Sequence, residues 1–497
     1  MWVALCRSGG ARVTPYRVTV DNRQRWLALY VLCLGSLMIV LDATIVNVAL
    51  PSIREDLGFS ETSLAWVVNA YLLTYGGLLL LGGRLGDLYG HRRLFIFGIT
   101  LFTLSSLACG LSSTQGMLVA ARAVQGVGGA IASAVSLSLI MTLFTETAER
   151  AKAMGFFGFV ASGGGTLGVL LGGVLTDSLS WHWIFLVNVP IGIVVCTLCL
   201  RLLPAGQGGG GGGKLDLPGA VTVTAALMVA VYAIVNGNDN GWTSFETLGL
   251  LGLAVVLLGA FLVIESRVSA PLMPLGLFKH RNVATANAVG VLWAAAMFAW
   301  FFLAALYLQL VLGYSPLEVG LAFAPSTVIM GVFSVGLSAK LVIRYGYRPP
   351  LAVGLTLAAI GLLLFARAPV DGTFVVDVLP SMILLGFGAG MAFNPVLMAA
   401  MNDVDPSEAG LASGVVNTSF MMGGAVGLAV LASVAASRTD SLRASGEDAV
   451  HALTGGYHLA FLIGALFALA AAALGSALLR SPRPSAAPEE PAELVEV

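Results

Sequence analysis

RLGDLYGHRR, Arg84 to Arg93, and KLVIRYGYRP, Lys340 to Pro349, read as two copies of one loop. At an offset of 256 residues, Leu85 and Leu341, Tyr89 and Tyr345, Gly90 and Gly346, and Arg92 and Arg348 are identical. A second echo lies at offset 259, where Ala153, Gly155, Gly164, Gly165 and Gly168 recur as Ala412, Gly414, Gly423, Gly424 and Gly427. Two echoes at nearly one offset point to a chain built as two parallel copies. What each copy contains follows from the apolar runs around it.

Of 497 residues, 58% are apolar and 10% are Asp, Glu, Lys or Arg, and the mean hydropathy is +0.91. Soluble proteins carry about 25% charged residues. So few charges cannot cover a soluble surface, which makes this a multi-span membrane protein and excludes a soluble enzyme, a nucleic-acid binder and a secreted disulfide scaffold. A spanning helix needs about 20 mostly apolar residues. Fourteen such runs are present, from 26–50 at the start to 455–479 at the end. They are continuous rather than alternating, which rules out a membrane β-barrel. The net charge of -1 implies no polybasic partner site. Cys196 and Cys199 lie inside a span with no His or acid nearby, so they suggest neither a redox nor a metal role.

Lys and Arg set the orientation. With the N-terminus in the cytosol, the tails and even-numbered loops hold 20 basic residues and the outer loops hold four: Arg54, Arg367, Arg438 and Arg443. Both termini are therefore expected inside a bacterial inner membrane. The organisation reads as a tail at 1–25, a six-helix bundle at 26–203 and a Gly-rich flexible linker at 204–216. Two inserted helices at 217–264, a second six-helix bundle at 283–479 and an acidic tail at 480–497 complete it. Duplicated halves that rock about a midplane site are a common build for secondary transporters.

The motifs carry a family likeness. LDATIVNVALPSI (Leu41 to Ile53), GGRLGDLYGHRR (Gly82 to Arg93), ARAVQGVGGA (Ala121 to Ala130), GGTLGVLLGG (Gly164 to Gly173), WHWIFLVNVPIG (Trp181 to Gly192) and GAGMAFNPVLMAAM (Gly388 to Met401) lie along residues 26–479. Together they resemble the major facilitator superfamily, and within it the fourteen-span drug:proton antiporters of the EmrB/QacA type. The resemblance implies an all-α membrane fold of two six-helix bundles plus two extra spans. It also implies export of lipophilic drugs or related small molecules by alternating access, driven by the proton gradient without a cofactor. Three positions depart from the pattern: Val169 where the antiporter motif usually has Pro, Leu88 where Arg often follows Asp87, and His182 where Arg often separates the two Trp residues.

Asp42 and Arg122 are the ionisable residues expected deep in the hydrocarbon. An intramembrane charge costs roughly 2.5–3.5 kcal/mol on insertion scales, so each is a functional candidate. Counting from the outer ends of spans one and four places both in the outer half of the first bundle. They are assigned to proton coupling, against the alternative of a static pair that locks two helices. Burial disfavours the carboxylate and a cation favours it, so a movement that changes either can load or release a proton.

In the first loop copy, Gly83, Asp87, Gly90, Arg92 and Arg93 are candidates for a conformational latch; the second copy has Ile343 in place of Asp87. The expected partner is the start of span thirteen, with Asp405 as N-cap, Pro406 at N1 and Glu408 at N3. The alternative is that these basic residues only fix topology. Gly164, Gly168 and Gly172, at i, i+4 and i+8, make a smooth strip, read as a sliding interface between the halves. Trp293, Trp300 and Tyr307 recur every seven residues in span nine, with Gln309 beyond. With Asn47, Gln125, Asn394 and Asn417 they are candidates for the substrate cavity; core packing and helix–helix hydrogen bonds are the alternatives.

The reading is thus a monomeric carrier whose partners are a small lipophilic substrate, protons and the bilayer, with no nucleic acid and no metal. A nutrient, siderophore or metabolite transporter of the same fold is the alternative. A channel lacks a filter repeat, a membrane transferase lacks a second acidic cluster beside Asp403 and Asp405, and no P-loop for ATP is present.

Overall fold

A computed structural model describes residues 22–144, 146–203, 215–402, 404–405 and 408–480. Both expected tails and the Gly-rich linker fall largely outside them. Every described element is helical, as it must be where no water is present to satisfy backbone N–H and C=O groups.

Among the described residues, thirteen helices are long and apolar enough to cross a membrane. They are α1 (Asn22–Leu57), α2 (Ala65–Tyr89), α3 (His91–Gly110), α4 (Gln115–Leu143), α5 (Thr147–Ser178), α6 (Trp183–Leu202), α7 (Leu217–Asn240), α8 (Phe245–Arg267), α9 (Arg281–Val311), α11 (Arg348–Phe365), α12 (Phe374–Met401), α13 (Ala409–Ala444) and α14 (Ala449–Leu478). The fourteenth, α10, runs from Pro316 to Val332. It passes through a π-helical turn at Phe333–Leu337 and continues as Ser338–Tyr345. The turn splits one sequence run into three pieces, so span ten is shorter by helix length than by hydropathy. The protein is a multi-pass membrane protein, with these fourteen helices among the described residues.

The duplication is visible in the packing. Within the first bundle α1 packs on α5 and α6, α4 on α2 and α3, and α3 on α6. Within the second, α9 packs on α13 and α14, α12 on α10 and α11, and α11 on α14. The bundles meet reciprocally, α5 against α10 and α2 against α13. The inserted pair lies over the α2–α13 seam: Asn238 Nδ2 of α7 donates to the Ser433 carbonyl of α13 at 2.8 Å, and Thr224 of α7 fills the space beside Gly77 of α2.

Call the face that carries Asn22 and Leu478 the terminal face. At the opposite face the halves touch closely. Gln309 Nε2 donates to the Val48 carbonyl at 2.9 Å, and Glu61, in the α1–α2 loop, lies 3.5 Å from Arg54 and 3.9 Å from Arg443 of α13. A Cβ on Gly173 of α5 would sit 2.7 Å from the Pro316 carbonyl of α10, and one on Gly320 would sit 2.8 Å from the Val169 carbonyl. Toward the terminal face the contact reaches the π turn of α10, and no described atom lies within 4 Å of a Cβ built on Gly155 or Gly158. On the α2–α13 side, the segment 268–280 between α8 and α9 forms a strap. Its Leu272 packs with Leu81 and Ala220, and its Met273, Leu277 and Phe278 pack with Leu80, Leu411 and Val415.

Candidate functional site

The structure brings Asp42 and Arg122 into contact. Arg122 Nη1 donates to Asp42 Oδ2 at 2.6 Å, and both residues have 0% exposure. Asp42 Oδ1 accepts two amides, from Gln125 Nε2 at 2.7 Å and from Asn188 Nδ2 at 3.0 Å. Arg122 also donates Nη1 to Gln125 Oε1 at 2.8 Å and Nε to the Val67 carbonyl at 2.9 Å. Its guanidinium sits 4.4 Å from the Tyr71 ring centroid. Asn188 Nδ2 further reaches Ser106 Oγ at 3.0 Å. One carboxylate therefore ties α1, α4 and α6 together, with α2 and α3 completing the walls.

The helices explain the convergence. Arg122 and Gln125 are three residues apart on α4, hence on one face. The small residues along α4 let its neighbours close in: a Cβ on Gly128 would lie 2.6 Å from the Phe102 backbone nitrogen. Removing one partner of such a buried pair costs about 3–5 kcal/mol, because it leaves a charge unpaired away from water. Protonation has a local consequence as well. A proton on Asp42 removes the charge that strengthens all three bonds and ends its charge pairing with Arg122, so each of them weakens.

Two of these residues were not placed here by the sequence. Gln125 was assigned to the substrate cavity and instead bonds Asp42. Asn188 lies in the WHWIFLVNVPIG motif, and its signal is the one that marks Asn47, an amide inside an apolar run.

Asp87, with a side chain 67% exposed, lies 3.4 Å from His91 Nε2. Arg92 Nη2 donates to the Leu200 carbonyl at 2.7 Å, Arg93 is exposed, and nothing lies within 4 Å of a Cβ on Gly83. Gly90 makes the α2–α3 turn with φ +93°, a backbone conformation that a side chain disfavours. Asp405 and Glu408 are exposed. The capping expectation is corrected: α13 begins at Ala409 with Glu408 as N-cap. The Glu408 N–H bonds the Asp405 carbonyl at 2.8 Å, and Pro406, expected at N1, lies outside the described residues.

The glycine strip is also corrected. Cβ atoms on Gly164, Gly168 and Gly172 would strike Val40, Thr44 and Ile45 of α1, inside the same bundle. The next residues along α5 turn toward α10: Val169 and Gly173 meet it across the halves, and a Cβ on Gly165 would lie 4.0 Å from both Met330 of α10 and Thr44 of α1. One residue is a 100° turn of the helix, enough to exchange the two roles.

Trp293, Trp300 and Tyr307 are each no more than 2% exposed. Trp300 packs on Phe301 and Phe323, and Tyr307 donates to the Pro369 carbonyl at 2.7 Å against Phe365. In this conformation the stripe packs within the second bundle. Gln309 closes the opposite face, as described. Asn47 is bound to its own helix at the Thr44 carbonyl, and Asn417 to the Ser413 carbonyl. Asn394 Nδ2 donates to the Ser334 carbonyl at 2.7 Å, beside the π turn of α10. Half-buried Phe298 and Phe393 flank Phe420, with ring centroids 6.0 and 5.5 Å away. They bring α9, α12 and α13 together in one aromatic cluster.

Comparison with known proteins agrees with this architecture. The family model "Major Facilitator Superfamily" matches residues 32–428. The chain is 40% identical over 451 residues to the puromycin resistance protein pur8 of Streptomyces alboniger, covering 89% of each chain. It is 39% identical over 450 residues to the cephamycin export protein CmcT of Amycolatopsis lactamdurans, covering 90% of this chain and 91% of that one. In fold it is similar to a crystal structure of a mutant of the nucleoside transporter NupG, with a TM-score of 0.63 and 13% identity, covering 91% of this chain and 99% of that one. With duplicated six-helix bundles, a family match over most of its length and two relatives near 40% identity, this chain belongs to the major facilitator superfamily of membrane transporters.

Proposed function

We propose that this protein exports lipophilic antibiotics or similar small molecules from the bacterial cytosol in exchange for protons, as a monomer with both termini in the cytosol. The relatives named for puromycin resistance and cephamycin export support the substrate class. The 20-to-four distribution of basic residues supports the orientation. In that orientation the conformation described is closed toward the outside.

The observation that carries proton coupling is the bonding of Asp42. Its carboxylate is joined to three donors on two other helices, and taking up a proton weakens all three bonds by removing the charge that assists them. Loading and unloading the proton thus changes how α1 is held to α4 and α6. In this conformation Asp42 is sealed, so a substrate does not compete for it by direct contact; coupling runs through the helix contacts. The gradient supplies about 2.3 kcal/mol per charge per 100 mV.

A drug-susceptibility panel in an efflux-deficient host, with and without an uncoupler, tests the reading. Raised resistance to several lipophilic compounds that the uncoupler abolishes supports it. Resistance that survives the uncoupler, or none across the panel, refutes it.

A further inference from the structure

The inserted helices contain a second buried acidic site that the transport reading does not use. Asp216 caps α7: its Oδ1 accepts the Gly219 N–H at 2.9 Å. Glu265 lies near the end of α8, and its Oε2 accepts the Met273 N–H at 3.1 Å. The other two oxygens, Asp216 Oδ2 and Glu265 Oε1, are buried with no hydrogen-bond donor among the described residues. They converge on one space, the bare face of Gly219, where a Cβ would lie 2.5 Å from Oδ2 and 2.9 Å from Oε1. Asp216 is 1% exposed and Glu265 3%. Neither takes part in an ion pair among the described residues.

Two facing carboxylates with no counter-charge among the described residues cannot both stay ionised away from water at acceptable cost. One proton changes the chemistry: it supplies the donor both orphan oxygens lack and makes an O–H···O⁻ bond, short and charge-assisted. The oxygens are matched to a single small donor. Gly219 clears the space that a side chain would fill.

Glu265 also anchors the strap. The residues it holds, Leu272 and Met273, pack on Leu81 and Leu80 of α2, and Met273 meets Leu411 and Val415 of α13 through Leu277 and Phe278. The strap thus lies across the seam along which α2 and α13 must slide if the halves rock. We propose that Asp216 and Glu265 bind one shared proton, and that this proton fastens the strap over the seam between the halves. Around Glu265 the charged neighbour is Asp216; the remaining polar neighbours are the backbone N–H groups of Leu272 and Met273. Leu272, beside the Met273 that Glu265 holds, packs among Leu81 and Ala220 with Leu78 and Leu85 alongside. Loss of the proton leaves two carboxylates in contact, and their repulsion frees the strap. The site is separate from Asp42, so it stands whether or not Asp42 carries the coupled proton.

The test uses the purified full-length chain. In an Asp42→Asn background, infrared spectroscopy at neutral pH should show a protonated-carboxyl C=O band that either Glu265→Gln or Asp216→Asn removes. In parallel, spin labels on Arg84→Cys and Lys279→Cys, in a chain without its native cysteines, report the strap against α2. The distribution should be narrow in acid and broad in alkali. Glu265→Gln, whose amide supplies a permanent donor, should keep it narrow at both, and Glu265→Ala should leave it broad at both. Absence of the carboxyl band overturns the proposal. So does a distribution that ignores pH in the parent, or Glu265→Gln behaving as Glu265→Ala.

Discussion

Asn188→Leu tests the geometry around Asp42 with little risk to the fold. The asparagine Oδ1 is already buried without a partner, so an apolar side chain of similar size removes an unfavourable group along with a favourable one. Ser106 keeps its bond to the Phe185 carbonyl at 2.9 Å. What disappears is one of the three donors to Asp42, the 3.0 Å bond from Nδ2. A hydrogen bond to a charged group is worth about 1.5–3 kcal/mol. That bond favours the ionised form, and 1.36 kcal/mol corresponds to one pH unit. The pH profile of substrate-driven proton release from everted vesicles should therefore move toward alkaline values by about one to two units. Folded yield and thermal stability in detergent should stay close to the parent. An unchanged profile in a well-folded Asn188→Leu variant would refute the assignment of this bond to the coupling step.

Further expectations follow from the contacts between the halves. Burial raises the proton affinity of the Glu61 carboxyl above that of an ordinary glutamate, with Arg54 and Arg443 opposing it and Asp440 adding to it. The closed arrangement therefore binds the proton more readily than a solvated Glu61 would. Its contribution to closure is fully present below the ordinary glutamate value and is lost as pH rises through the raised one. Acid should shorten label distances across the opposite face and Glu61→Gln should abolish the response; lengthening in acid contradicts this. Gly173→Ala crowds the α10 backbone across the halves, and overpacking costs about 1–3 kcal/mol. It should shift the population away from the closed opposite face by roughly 5- to 150-fold, whereas Gly172→Ala, crowding α1 within its own bundle, should lower thermal stability instead. Asp87→Asn should leave this conformation intact and slow transport with little change in substrate affinity. A charge near a helix N-terminus is worth roughly 0.3–2 kcal/mol. Equal slowing by Ile343→Asn would remove the latch role.

The sequence read best where one physical cost dominates. Fourteen apolar runs had to be helices because lipid leaves backbone groups no other partner, and Asp42 and Arg122 stood out because a buried charge is expensive. Uncharged polar residues were harder: Gln125, Asn188 and Asn394 are all amides in apolar runs, and composition does not say which of them meets a carboxylate. Faces were harder still. The neighbours Gly172 and Gly173 point to different helices, and the seven-residue Trp stripe of α9 marks a face without naming its neighbour. Asp405 has the residue type of a cap, but α13 begins at Ala409 with Glu408 as N-cap. The Asp216–Glu265 contact joins residues 49 apart across two helices, a proximity that no local pattern encodes.

Substrate-induced proton release from everted vesicles carrying Asp42→Asn is the most direct test of coupling at Asp42. Asn keeps the shape and removes the titratable group, while substrate binding, followed by quenching of intrinsic fluorescence, verifies that the variant is folded and competent. The account predicts binding within a few-fold of the parent and no proton release on adding substrate. Release at the parental rate from a substrate-binding Asp42→Asn protein would contradict it.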